Sequence, residues 1–346
     1  MHAPGHRTAD YDFALPPELI AQRPAARRDA SRLMVVRRDA KRIEHATFSD
    51  LPSLLAPGDA LVVNRSRVFR ARLLGTRDSG APAEVFLLRA LGNDRWEAMV
   101  SPGSKLKPGR RVTIVAGFEV EILESTERGT RLVALRSELP VAEAIARWGH
   151  VPLPPYIERA DAVDDAERYQ TVYSREEGSV AAPTAGLHFT PELLAQLEAR
   201  GVGRGEVLLH VGAGTFKPVE VEDPSEHVMH EEWFDVPAET AALVAETKRG
   251  GGRVCAVGTT SVRALESAAA ADGVVHAGSA ETRIFLRPPH GPKVVDALVT
   301  NFHLPRSTLL MLVASIAGHE LTMRAYAEAV KERYRFYSYG DAMVIL

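Results

Sequence analysis

Between about Phe69 and Arg136 apolar residues recur at every second position in short runs. Ala83-Glu84-Val85-Phe86-Leu87-Leu88, Arg111-Val112-Thr113-Ile114-Val115 and Glu119-Val120-Glu121-Ile122-Leu123 are examples. Turn residues separate the runs, among them Asp78-Ser79-Gly80, Gly92-Asn93-Asp94 and Ala116-Gly117. A period of two is that of a half-buried strand, and six such runs without a helical period predict a small antiparallel β-barrel. The flanking texture differs. Upstream, the spacing predicts a short helix start at Pro16–Ile20, a strand at Arg32–Val36, a helix over Phe48–Leu55 and a buried strand at Ala60–Asn64. Downstream of the stiff Pro152-Leu153-Pro154-Pro155 linker, strands and helices alternate. Thr190 and Pro191 open a helix as N-cap and first helical residue, and strands are predicted at Val207–Val211, Arg253–Val257 and Val294–Val299. Helices are predicted at Ala238–Lys248, Thr260–Ala271, Thr308–Ala317 and Ala325–Arg333. The expected fold is a layered α/β large domain, residues 1–68 and 149–346, into which a small antiparallel β-barrel, residues 69–148, is inserted.

Composition narrows the class. With 346 residues, 45% hydrophobic and 25% charged, the chain is an ordinary globular protein of about two domains, and wholesale disorder is excluded. Cys255 is its single cysteine, so neither an internal disulfide nor a multi-cysteine zinc site is available. Met1–Phe13 lacks the apolar core of a signal peptide, and the Leu309–Ala317 run is too short to span a bilayer. A cytoplasmic protein without a membrane partner is expected.

Four polar loops follow apolar segments, the position at which α/β folds hold ligands. The first, Ala182 to Phe189, offers the Thr184 hydroxyl, the flexible Gly186 and the His188 imidazole; a packed turn would look the same. The second, His210 to Lys217, contains Gly212 and Gly214. Phe216-Lys217-Pro218 stands where a dinucleotide fingerprint needs its third glycine and helix start, so the glycines instead let backbone approach a ligand. In the third, Thr259, Thr260 and Ser261 open a helix with Arg263 one turn in, an anion-binding pattern that simple capping only partly explains. The fourth, Thr300 to Pro305, places Asn301 and His303 at a strand end. His227-Val228-Met229-His230-Glu231 could bind a metal only if helical, and the flanking Pro224 and the strand-like Trp233–Val236 favour an extended conformation. The aromatic tail Phe336-Tyr337-Ser338-Tyr339 suits base stacking or core filling equally.

Taken together, these stretches resemble one family, the S-adenosylmethionine:tRNA ribosyltransferase-isomerases of queuosine biosynthesis. The resemblance runs through Asp10–Phe13, Asp29–Leu33, Gly149–Ile157, Tyr169–Tyr173, Val180–Phe189, Leu209–Phe216, His227–His230, Val257–Arg263, Lys293–Pro305 and Tyr334–Met343, in order over nearly the whole chain. The chain departs from the family's usual pattern at Asn64-Arg65-Ser66-Arg67-Val68, which gains positive charge, and at Pro288-Pro289-His290-Gly291-Pro292, which lacks aromatics. The resemblance implies an α/β domain with an inserted barrel. It also implies transfer and isomerisation of the ribosyl part of S-adenosylmethionine onto 7-aminomethyl-7-deazaguanine at the tRNA wobble position, releasing adenine and methionine. S-adenosylmethionine is then a consumed co-substrate, and neither cofactor nor metal is expected. A monomer is expected.

That chemistry requires a base at the acidified 5′-carbon and a proton donor for departing adenine. His188 or His210 is expected as the base, with Asp235 and His303 as further candidates. The Thr259-Thr260-Ser261-Arg263 helix start is expected to hold the methionyl carboxylate, with Thr184, Gly186, Gly212, Gly214 and Asn301 completing the S-adenosylmethionine site. For tRNA phosphates the candidates are Arg65, Arg67, Arg70, Lys105 and Lys107. The formal net charge of −3 hides an asymmetry: residues 1–111 hold 20 basic and 12 acidic side chains, residues 112–346 hold 22 and 33. The RNA question therefore moves to the first third of the chain. Rival readings are a metal-dependent hydrolase using His227 and His230, and a non-catalytic RNA-binding protein.

Overall fold

In the computed structural model, which describes residues 5–127, 129–212 and 219–346, hydrophobic patterning accounts for both parts of the architecture. In chain order the strands are β1 (Arg32–Arg37), β2 (Arg42–Thr47), β3 (Ala60–Asn64), β4 (Ser66–Val68), β5 (Arg72–Arg77), β6 (Pro82–Gly92), β7 (Arg95–Ser101), β8 (Arg111–Val115), β9 (Phe118–Ser125) and β10 (Arg131–Ser137). They continue with β11 (Glu176–Ser179), β12 (Gly203–Leu209), β13 (Glu232–Val236), β14 (Val254–Val257), β15 (Gly278–Thr282), β16 (Ala297–Asn301) and β17 (Ala342–Ile345). The helices are α1 (Leu51–Leu54), α2 (Val141–Trp148), α3 (Asp165–Arg168), α4 (Pro191–Ala199), α5 (Ala238–Arg249), α6 (Gly258–Ala268), α7 (Thr308–Ala317) and α8 (His319–Lys331).

Strands β5 to β10 close into a barrel in the order β10-β7-β6-β5-β8-β9, which removes free edges. Along β9, Phe118, Val120 and Ile122 turn inward and Glu119 and Glu121 outward, and α2 contributes Ala144 and Ile145 to the same core. The barrel meets the large domain where Arg72 and His150 exchange backbone hydrogen bonds of 2.8 and 3.3 Å. β4 pairs in parallel with β11 beside this junction.

The large sheet runs β15-β13-β12-β3-β14-β16-β17-β1-β2. β12, β3, β14 and β16 are mutually parallel, and every residue of β3, β14 and β16 is buried. Burial on both faces explains their uninterrupted apolar runs. Met34, Val36, Val62, Ala256 and Leu298 pack with α6, α7 and α8 on one face. Leu33, Val35, Leu61, Val63, Cys255 and Val257 pack with Phe48, Leu51 and α4 on the other. Among the described residues no helix is long and apolar enough to cross a membrane.

Several elements differ from expectation; the strand expected at Val207–Val211 spans Gly203–Leu209, and the helix expected at Thr260–Ala271 spans Gly258–Ala268. The strand foreseen at Val294–Val299 begins only at Ala297, because the Glu266 carboxylate takes the backbone N–H groups of Lys293, Val294 and Val295 at 2.7 to 2.9 Å. Asp296 precedes the strand and binds Lys248 Nζ and the Val254 N–H. The last long helix starts at His319 rather than Ala325, directly after Gly318 turns the chain with φ 83°. Pro17–Leu19 makes a single 3-10 turn and no longer helix.

Candidate active site

The parallel strands β12, β14 and β16 end at one cavity, the position at which open α/β sheets bind ligands. Val211 follows β12, Gly258, Thr259 and Thr260 follow β14, and Thr300 to Leu304 end β16. The loop Ala181–Ala185 and the pair Tyr337 and Ser338 complete the wall with Tyr156. Gly258 makes the strand-to-helix turn at φ 83°, a left-handed conformation that costs glycine little and aims the start of α6 at the cavity. Among the described residues no Asp, Glu, Lys or Arg lines it.

One hydrogen-bonded chain sets the polarity of this wall. Asn301 Nδ2 donates to His188 Nε2 at 3.1 Å and to the Tyr337 carbonyl at 3.2 Å. A carbonyl only accepts, so the amide cannot be the other way round. His188 then carries its proton on Nδ1 and donates to Ser31 Oγ at 2.8 Å, and Ser31 donates to the Arg28 carbonyl at 3.1 Å. Both hydrogens of the Asn301 amide are used, and its Oδ1 is buried without a partner, as is Thr260 Oγ1. Tyr337 itself sits at φ 70°, a conformation costing a bulky residue about 1–3 kcal/mol. Its N–H to Phe302 O bond and its carbonyl's bond to Asn301 hold it there.

This chain changes the role expected of His188. The ring is buried, stacks on Phe48 at 5.0 Å and does not line the cavity. Burial, reinforced by the positive charges of Arg335 and Arg28, lowers its pKa to about 3. Its one lone pair is already engaged by Asn301, so it orients that amide and is not free to act as a base.

His210 lies outside the cavity wall, stacked on Trp233 at 5.4 Å. Ser179 accepts from the Val211 N–H at 2.9 Å and is fully buried. Among the described residues its hydroxyl hydrogen reaches only Ser66 Oγ, 2.5 Å away, and Ser66 then donates to His210 Nδ1 at 3.1 Å. His210 is thereby left with its proton on Nε2, a donor where a base was expected. Burial also lowers its pKa.

Asp235 accepts from Ser279 Oγ at 2.7 Å and faces Arg65 at 3.7 Å, away from the cavity. Of the four acid–base candidates only His303 lines the cavity. Its Nε2 lies 2.8 Å from Thr300 Oγ1, and burial lowers its pKa to about 3.

The expected S-adenosylmethionine residues divide similarly. Thr184, Thr259, Thr260 and Asn301 line the cavity together. Ser261 does not: its hydroxyl bonds back to the Val257 carbonyl at 2.7 Å, as a serine inside a helix readily does. Arg263 is buried in an ion pair with Glu232 and reaches no part of the wall. Burial lowers its pKa to about 10. Glu232 Oε1 also accepts from the Gly212 N–H at 3.2 Å, so Gly212 belongs to that pair's surroundings. A Cβ on Gly186 would come within 2.1 Å of Tyr173 Oη, which gives this glycine a packing role. Gly214 lies outside the described residues. Tyr156, Tyr337 and Ser338 line the cavity without having been expected there, and of these only Tyr337 and Ser338 lie in the aromatic tail that the sequence singles out. Their rings and hydroxyls meet across 182 residues, with Tyr156 Oη 2.7 Å from Ser338 Oγ and the two tyrosine rings 4.5 Å apart.

The basic candidates separate by pairing. Arg65 is 13% exposed and binds Glu176 at 3.0 Å, so it is committed within the protein. Arg67 is more exposed and lies 3.9 Å from Glu177. Arg70, Lys105 and Lys107 are exposed. Leu106, buried in the barrel, anchors the loop between the two lysines, and Arg131 holds it through the Leu106 and Gly103 carbonyls. His227 packs edge-on against Phe285, and the described residues contain no group of three or more His, Cys, Asp or Glu that could hold a metal.

A family profile described as queuosine biosynthesis protein matches residues 8–345. The S-adenosylmethionine:tRNA ribosyltransferase-isomerase of Symbiobacterium thermophilum is 55% identical over 342 residues, covering 98% of this chain and 100% of the relative. Its counterpart in Thermotoga maritima is 50% identical over 341 residues, with 98% and 100% coverage. The crystal structure of the S-adenosylmethionine tRNA ribosyltransferase from Thermotoga maritima superposes with a TM-score of 0.56 at 41% identity, over 97% of this chain and 99% of that one.

Proposed function

The chain belongs to the queuosine biosynthesis protein family, and on that premise we propose that it is a transferase acting on S-adenosylmethionine and tRNA. It transfers and isomerises the ribosyl part of S-adenosylmethionine onto 7-aminomethyl-7-deazaguanine in tRNA, giving epoxyqueuosine-tRNA, adenine and methionine. The observation that carries this reading onto the residues is the cavity at the ends of β12, β14 and β16, where neutral polar groups converge and two buried oxygens lack partners.

In this reaction the sulfonium acidifies the 5′-carbon, a base removes a proton there, the aminomethyl nitrogen attacks as the neutral amine, and adenine departs with a proton. The geometry supports His303 as the proton carrier, since it lines the cavity and stays neutral at assay pH. A ring with so low a pKa is a weak base, so the sulfonium must supply most of the acidity. Once protonated it is a strong acid, suited to passing its proton to the leaving adenine. Arg70, Lys105 and Lys107 are the phosphate contacts this reading favours, because they are exposed and no ion-pair partner stands beside them among the described residues. S-adenosylmethionine is consumed in the reaction, and the proposal needs no resident cofactor.

The direct test is incubation with S-adenosylmethionine and precursor tRNA. Stoichiometric release of adenine and methionine is expected; tRNA binding without either product would leave only an RNA-binding protein. The metal-hydrolase reading is not favoured by the relatives.

A further inference from the structure

We propose that the cavity behind Asn301 is the nucleobase subsite, and that Asn301 Oδ1 selects adenine by accepting a hydrogen bond from its exocyclic amine. The proposal deepens the reading above and rests on it for the identity of the ligand.

Three observations carry it. First, among the described residues the wall holds no charged side chain. The carboxylate and ammonium of the methionyl end would lie there without an ion partner, whereas a neutral base loses little on entering. This reassigns the start of α6, whose Arg263 is already paired with Glu232. Second, Asn301 is held so that only its acceptor oxygen remains. Its two N–H groups are spent on His188 and Tyr337, and Oδ1 is buried and unpartnered. A buried acceptor of fixed orientation is satisfied by a donor and repels a carboxylate or a ring carbonyl. Third, Thr260 Oγ1 is a second unpartnered oxygen on the same wall and can donate to a ring nitrogen. An exocyclic amine beside a ring nitrogen is the pattern of adenine, and the Tyr156 and Tyr337 rings supply an aromatic side for its faces.

A 7-deazaguanine base also carries an amine, so the shared chemistry is an amine-bearing purine-type base, and the test separates the two sources. Binding is measured by calorimetry with 5′-methylthioadenosine, 5′-methylthioinosine, methionine and free 7-aminomethyl-7-deazaguanine. The inosine compound replaces the amine by a carbonyl and puts a hydrogen on the adjacent ring nitrogen, leaving the ribose and thioether unchanged. The expected result on the unmodified protein is that methylthioadenosine binds at least about 10-fold more tightly than methylthioinosine, since a site built to hydrogen-bond one group rejects its replacement. In Asn301→Leu and in Thr260→Val the ratio falls, because each removes one of the two hydrogen bonds that the inosine compound cannot make, and it falls further in the double variant. Equal binding of the two nucleosides to the unmodified protein, or no binding of methylthioadenosine, overturns the proposal. So does a site that prefers the deazaguanine base or methionine and loses it in Asn301→Leu. Because the first comparison uses the unmodified protein, misfolding of a variant cannot mask the answer. Product release from S-adenosylmethionine and tRNA is scored separately. Adenine selectivity without product would sink the transferase reading and leave the subsite, and product without selectivity would do the reverse.

Discussion

His188 accepts a hydrogen bond from the Asn301 amide at 3.1 Å, across 113 residues of sequence, and so fixes which atom of that amide is left over. The imidazole is therefore a positioning group. Substituting His188→Ala empties a buried space against Phe48 and frees the Asn301 amide. A loss of about 3 kcal/mol in unfolding free energy is expected by urea denaturation. His188→Gln, which can still accept from Asn301, is expected to restore much of the S-adenosylmethionine KM that His188→Leu loses. If both variants raise KM equally, the positioning role is wrong.

The pH dependence of stability follows from two depressed histidine pKa values. His188 and His303 titrate near 3 when folded, against 6.5 for an ordinary histidine. The unfolded chain thus binds protons that the folded one refuses, and stability falls as protons are added. Their contribution is complete above pH about 6.5 and is lost progressively as pH drops towards 3. Urea midpoints measured from pH 7 to pH 4 should decline, and less steeply in His188→Gln or His303→Asn. A parallel decline in both variants would assign the effect to other groups.

The role of His303 is open to a kinetic test. A His303 that stays neutral down to pH about 3 puts no inflection into kcat between pH 5 and 8. His303→Ala should lower kcat by about 100-fold, the lower end of what a positioned acid–base group contributes. Single-turnover rates at wild-type level in that variant would remove His303 from the reaction.

The Arg263–Glu232 pair is buried, and its loss is expected to be structural. Arg263→Met alone should cost about 3–5 kcal/mol, because it removes the opposite charge paired with the buried Glu232 carboxylate. Arg263→Met with Glu232→Met should recover most of that loss. Calorimetric or urea unfolding of the three proteins decides the point; a stable Arg263→Met protein with a raised S-adenosylmethionine KM would return the arginine to the substrate.

Among the basic residues, Lys105→Glu and Lys107→Glu should weaken tRNA binding and reduce the slope of log K against log salt by about one for each phosphate no longer neutralised. Folding should be untouched, since both lysines are exposed. Arg65→Glu should instead lower the melting temperature, because the new acid meets Glu176 and Asp235. Fluorescence anisotropy with tRNA at several salt concentrations, paired with thermal unfolding, distinguishes the two behaviours.

Periodicity and composition determined much of this protein. The two-residue alternation of Phe118, Val120 and Ile122 is enough for a barrel strand, and the apolar runs Ala60–Val63 and Val254–Val257 are enough for strands buried on both faces. The helix Thr308–Ala317 has the bounds its sequence predicts, set by Ser307 as N-cap and Gly318 beyond its end. Such features depend on neighbours within a few residues. The polar loops that reach the cavity were legible too, because polar groups at strand ends stand out against apolar strands. What each polar group does there was decided only by the fold. His188 and His303 look alike in sequence, yet one is engaged by Asn301 and Ser31 and the other lines the cavity. Arg263 looks free until β13 brings Glu232 beside it. Hydrogen-bond partners are set by the order of strands in the sheet, which joins residues far apart in the chain. Local pattern carries no record of that order, and a buried side chain's role is defined by its partners.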